Sequence, residues 1–130
     1  MLFEFETNMI TPSKEKLVDL DEGFTKGNMF ANLYDPYKHY EPTCLKPQNE
    51  REALLLHIYK LDFALNDLNL YLDLYPTDME AYEKFKKYAY DYEKCVHEYE
   101  KNYQVLEVCH DTYGKYTWLD NPWPWEGNHV

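Results

Sequence analysis

Residues 69–85 read NLYLDLYPTDMEAYEKF, and the fold turns on them. Pro76 has no backbone N–H and its ring clashes with the preceding turn, so a helix running into it must stop. Thr77 followed three residues later by Glu80 is a capping-box pattern. Asp78 adds negative charge where the dipole of a new helix is positive. One helix therefore ends and another begins within a few residues, and so short a connection predicts that the two lie antiparallel.

The pattern holds on both sides of this junction. Upstream, Asn49 and Glu52 form another capping-box pair and mark a helix start. Leu54, Ile58, Leu61, Leu65, Leu68 and Leu72 then recur at alternating spacings of four and three, as one helical stripe. Downstream, Tyr82, Phe85, Ala89, Tyr92, Val96, Tyr99, Tyr103 and Leu106 continue in the same rhythm. Glu80–Lys84 and Glu83–Lys87 are spaced to pair on the outer surface. Each helix is expected to run about 28 residues, on the order of 40 Å.

The fold class expected is all-α: an antiparallel two-helix hairpin over residues 47–112, with an extended aromatic arm before it and a tail after it. Residues 1–46 read as an irregular arm, because Pro12, Gly23, Gly27, Pro36 and Pro42 interrupt them and no apolar period is sustained. Residues 23–42 are rich in aromatics, so the arm is expected to adhere to something. Residues 113–130 form a Trp/Pro-rich tail. All three tryptophans, Trp118, Trp123 and Trp125, fall there, and Pro122 and Pro124 pre-set an extended backbone that lowers the entropy cost of docking.

A projection of the first helix at 100° per residue adds a second apolar face. Leu56, Tyr59, Phe63, Leu70 and Leu74 lie opposite the leucine stripe, with Asn66 and Asp67 among them. The hairpin partner covers one face only, and a bare hairpin buries too little to be a robust domain. Either the chain's own arm and tail cover the other face, or a second chain does; the two readings are compatible. The seam tyrosines Tyr82, Tyr92, Tyr99 and Tyr103 are expected to pack, whereas Tyr88, Tyr90 and Tyr116 are expected to be freer.

Composition narrows the function classes. The chain has 130 residues, 45% apolar, with 14 tyrosines but only 4 glycines, and a formal net charge of −11. Tyrosine joins an apolar body to a polar tip and suits a surface that meets a partner. The negative charge disfavours nucleic acid and anionic membrane, which need clustered Lys and Arg. The opening MLFEFETNMI has neither a positive n-region nor a long apolar run, and the longest apolar run, ALLL, is far short of a membrane span of roughly 20 residues. A cytosolic site of synthesis with no spanning segment is the expectation. Cys44, Cys95 and Cys109 show no metal spacing and read as free thiols in a reducing compartment.

No Gly-rich phosphate loop and no G-x-S-x-G elbow is present, and Cys109 next to His110 is not how a thiol–imidazole pair is usually presented. Glu107-x-x-His110 has the local spacing of di-metal carboxylate helices, but those sites need two such motifs and two further inward glutamates. No enzyme activity, cofactor or built-in metal is expected. Glu93, His97 and His110 read as solvated surface residues. The alternative is a metal-handling or redox accessory protein with its own carboxylate/His site.

Two stretches together carry a resemblance. The hairpin sequence from Leu61 to Tyr103, followed by TWLDNPWPWEG (residues 117–127), resembles the spore-coat family CotJB over about residues 52–127. Its marks are Leu72-Asp73, Pro76-Thr77-Asp78, Glu98-Tyr99 and above all the tail. GNMFANLYDPY (residues 27–37) is similar to the G-T-L-F-x-x-L-x-x-P-[FY] motif of the companion CotJA, at Gly27, Phe30, Leu33, Pro36 and Tyr37; Asn28 and Met29 depart from it. The resemblance implies a protein made in the mother-cell cytoplasm and assembled into the spore coat, with other coat proteins and a manganese-catalase-like partner resembling CotJC. The manganese chemistry then belongs to that partner. The residues expected to meet partners, or a second copy of the chain, are Leu56, Tyr59, Phe63, Leu70 and Leu74 on the helix. Phe30 and Tyr37 of the arm join them, with Trp118, Pro122, Trp123, Pro124 and Trp125 of the tail.

Overall fold

A computed structural model of the chain describes residues 17–33, 35–111, 114–121, 123 and 126. Among them there are three α-helices and no strand: α1 (Leu20–Lys26), α2 (Glu50–Leu74) and α3 (Met79–Asn102). Two 3₁₀ turns, Ala31–Leu33 and Val108–His110, complete the regular structure.

The long helices begin where capping chemistry permits. The Asn49 side chain accepts from the Glu52 N–H at 2.9 Å, and Glu52 reaches back to the Gln48 N–H at 2.7 Å. One orphan donor of α2's first turn, and the N–H of the residue just before the cap, are thereby satisfied. At the junction the capping residue is Asp78, not Thr77: its carboxylate accepts from the Ala81 N–H at 3.2 Å. Asp78 has a further reason to hold that position, since its other oxygen accepts from the Tyr71 hydroxyl at 2.6 Å. The two carboxylate oxygens let Asp78 serve both donors at once, one oxygen each. Helices of 25 and 24 residues are somewhat shorter than expected, because α3 stops at Asn102 and the chain turns away through Tyr103.

α2 and α3 pack along their length. Leu55 and Ile58, early in α2, cluster with Val96 and Tyr99, late in α3. Leu68 and Tyr71, late in α2, cluster with Ala81 and Tyr88, early in α3. The buried line of α2 is Leu55, Leu56, Ile58, Leu61, Ala64, Leu68 and Tyr71. Leu54, Leu65 and Leu72 of the expected stripe lie half-buried on its flank. In α3 the buried residues are Ala81, Tyr88, Val96, Tyr99 and Glu100. Tyr82 and Tyr103, expected in the seam, are each 41% exposed, and Tyr88, expected to be freer, is buried. The small residues Ala64 and Ala81, both fully buried, stand where the cluster is tightest. On the outer surface Glu83 pairs with Lys86 rather than Lys87, at 3.0 Å.

The N-terminal arm is not irregular throughout. Asp19 caps α1 by accepting from the Glu22 N–H at 2.8 Å, and Gly27 ends it in the left-handed conformation with φ 82°. The chain then doubles back. Met29 is fully buried and Phe30 is 3% exposed, both in one cluster with Leu61, Leu68, Tyr71 and Tyr88. The Phe30 and Tyr71 rings lie 4.4 Å apart. Backbone polarity is satisfied on arrival: the Met29 N–H donates to Asp67 Oδ2 at 2.8 Å, and Val18 N–H donates to Met29 O at 2.9 Å. Asp67, a carboxylate on an otherwise apolar face of α2, is thereby explained as the acceptor for the arm's backbone.

Candidate functional site

The outer face of α2 is covered in one part and open in another. Leu56 is 4% exposed and shares a small cleft with Phe24, Leu45 and Lys60. Phe63 is half-buried, with its ring edge-to-face to Phe24 at 6.1 Å. Lys60 and Asp21 form an ion pair at 2.6 Å over the same contact. Leu56 and Phe30 are therefore parts of the chain's own core and offer no free surface. Elsewhere on α2, Tyr59 is 40% exposed and Leu70 and Leu74 are each 59% exposed. Met79, at the start of α3, is 59% exposed as well. Tyr37 projects at 79% exposure, with Tyr40 edge-on to it at 6.5 Å.

The tail returns to the start of α2 and the end of α3. Asp111 fastens it: one carboxylate oxygen accepts from the Thr117 N–H at 2.6 Å and the Trp118 N–H at 2.9 Å, and the other from the Thr117 hydroxyl at 3.3 Å. Trp118 and Trp123 stack with centroids 5.7 Å apart. Both are half-buried. Arg51 lies nearby, donating to Tyr99 at 3.2 Å and to Gln104, with its guanidinium over the Tyr99 and Tyr103 rings. A cleft of about 310 Å³ lies between Arg51 and Gln104 on one side and Lys115, Thr117 and Asn121 of the tail on the other. Pro122, Pro124 and Trp125 lie outside the described residues.

A second constellation was only half visible in the sequence. After Tyr103 the chain folds back along α3, and Val105 is buried at 3% exposure. Glu100, 6% exposed, accepts from the Leu106 N–H at 2.9 Å and from His110 Nδ1 at 3.0 Å. His110 is thus held by a buried carboxylate and is not simply a solvated surface residue. Its Nε2 lies 3.4 Å from Glu107, and Cys109 Sγ lies 3.5 Å from the same Glu107 oxygen. Glu107 and His110 meet because the turn between them is 3₁₀, in which residues three apart eclipse. Tyr92, Glu93, Val96 and His97 from α3 complete an open cleft of about 560 Å³. The sequence signal for this site was Glu107-x-x-His110. Glu100, ten residues before His110, carried no signal because no regular helix brings such a pair together.

Phenols and a thiol packed wholly or partly against the two long helices are perturbed in a consistent direction. Burial, then the hydrogen bond to Asp78, pushes the Tyr71 phenol well above its ordinary range. Burial also raises Tyr88, Tyr92 and Tyr59. The Cys95 thiol is pushed up by burial and then by Glu98 and Asp91, which keeps it a poor nucleophile. Among the described residues no helix is long and apolar enough to cross a membrane.

No curated protein and no solved structure matches the chain. The family model described as CotJB protein matches residues 52–126, which takes in α2 from its third residue, all of α3, the folded-back segment with Glu107 and His110, and the tail as far as Glu126. That match spans more than half of the chain and carries with it a spore-coat-related role. A chain with this helix pair and this tryptophan tail belongs to the CotJB family.

Proposed function

We propose that the chain is a non-enzymatic assembly protein of the spore coat. In this reading α2 and α3 form an antiparallel hairpin that serves as a rigid rod. The part of α2 that the arm leaves open docks a manganese-catalase-like coat protein. The observation that carries the proposal is the exposed apolar surface of Tyr59, Leu70, Leu74 and Met79, on a face whose other half the same chain has already covered. Tyr59 is of a residue type enriched at binding hot spots, and the exposed leucines of the same rigid helix add apolar area without loss of backbone freedom. The stacked Trp118 and Trp123, held through Asp111, give a second anchor at the far end of the rod.

The test is co-purification of the full chain with the manganese-catalase-like protein from sporulating cells. Three forms are compared: the unaltered chain, the double variant Leu70→Asp/Leu74→Asp, and a chain lacking residues 117–130. Both leucines are already exposed, so the double variant is expected to keep its fold and lose the partner. Association that survives both changes would remove this face and the tail from the interface.

A further inference from the structure

Glu107, Cys109 and His110 each offer one donor atom, and these lie within 4.8 Å of one another. We propose that they form a divalent-cation site of the zinc or cobalt class, with Glu100 as the residue that positions the histidine. This does not depend on the docking face proposed above, none of whose residues is a donor here.

The geometry of the histidine is the first argument. Glu100 is buried and already accepts the Leu106 N–H. A carboxylate only accepts, so the Nδ1 of a neutral His110 must donate to it, and the lone pair then sits on Nε2. Nε2 is the atom that faces Glu107. A ligating imidazole whose other ring nitrogen is held by a carboxylate is the usual arrangement of a protein metal site, because it fixes both tautomer and ring orientation.

Distances supply the second argument. Tetrahedral ligands at Zn–N and Zn–O lengths of about 2.0–2.2 Å stand roughly 3.4 Å apart, and a thiolate at about 2.3 Å stands slightly farther from its neighbours. The His110 Nε2–Glu107 edge is 3.4 Å and the Cys109 Sγ–Glu107 edge is 3.5 Å. Two edges of the tetrahedron are thus already set. The side chains of His110 and Glu107 are 40% and 58% exposed, so an ion reaches the site from the cleft without any opening motion.

The donor set chooses the ion. One thiolate, one imidazole and one carboxylate suit Zn²⁺ or Co²⁺ and suit Mn²⁺ poorly. On binding, Cys109 releases its thiol proton to solvent and its sulfur bonds the metal as thiolate. Three protein ligands leave a fourth position for water.

The test uses the full chain, stripped with chelator and titrated with Co²⁺ under reducing conditions. One Co²⁺ per chain is expected, with tetrahedral d–d bands and a thiolate-to-cobalt charge-transfer band. Zn²⁺ displaces it and equimolar Mn²⁺ does not. Cys109→Ser abolishes the charge-transfer band and His110→Ala weakens binding at least tenfold. Both residues lie outside the α-helices, and unchanged far-ultraviolet circular dichroism certifies the fold. Glu100→Gln keeps the thiolate band but binds about 10–100-fold more weakly, as loss of a positioning partner does. No stoichiometric Co²⁺ uptake by the unaltered chain, or a charge-transfer band that survives in Cys109→Ser, overturns the site. Unchanged affinity in Glu100→Gln overturns the positioning role.

Discussion

Met29→Ala tests whether the N-terminal arm belongs to the fold or merely rests on it. The Met29 side chain has no exposed surface and packs in the same cluster as Leu61, Ala64 and Leu68. Alanine removes the three heavy atoms beyond Cβ, which at about 0.8 kcal/mol per methylene-sized group is roughly 2.4 kcal/mol of lost transfer energy. Incomplete collapse of the cavity adds to that, so a total loss of about 3–4 kcal/mol is expected. Met29 fills its site closely: a Cβ built at Gly23 would come within 2.3 Å of Met29 Sδ. The backbone bond to Asp67 is untouched by the substitution, so the loss reads packing alone. Urea unfolding followed by circular dichroism and tryptophan fluorescence measures it, with Met29→Leu as a volume-conserving control costing under about 1.5 kcal/mol. A loss below about 0.5 kcal/mol, the size of an ordinary surface substitution, would refute the reasoning. The arm would then be an ornament on a self-sufficient helix pair.

Two further outcomes follow from the junction. Asp78→Ala removes the cap of α3 and the acceptor of the Tyr71 hydroxyl together, and should cost about 2–4 kcal/mol by urea unfolding, whereas Thr77→Ala should cost a few tenths of a kcal/mol; equal effects would count against Asp78 as the cap. The fold holds the Tyr71 phenol protonated well above the ordinary 10.0, and raises Tyr88 and Tyr92 too, so their contribution is intact below about pH 10 and is lost as pH rises beyond it; the urea midpoint should fall there, less steeply in Tyr71→Phe, and a flat or rising midpoint would contradict the burial.

The two long helices were legible because each repeats its apolar period over some two dozen residues, enough to outweigh local noise. The face was harder to read than the helix. α2 is apolar on most sides, and Ala64, which marks the tightest part of the cluster, carries too little hydrophobic signal to reveal it. Ile58, Leu61 and Leu68 belong to both the expected and the observed lines; Leu54, Leu65 and Leu72 were drawn in by size. α1 escaped notice because two turns contain no period to detect. Its caps were nevertheless present in Asp19, Glu22 and Gly27. At the cleft, Glu107 and His110 were visible as a pair, but only a chain that leaves α3 at Tyr103 and turns back can bring them to Glu100.

The bond from Met29 to Asp67 also fixes an order of events. The two residues stand 38 positions apart, and the arm is synthesised first. At about 5–20 residues per second, Asp67 follows Met29 by roughly 2–8 s. Tyr88, which closes the same cluster, comes later still. For that interval Met29 and Phe30 have no site to enter, and the arm emerges as an apolar segment waiting for its scaffold. An arm made before its scaffold can be placed only after it.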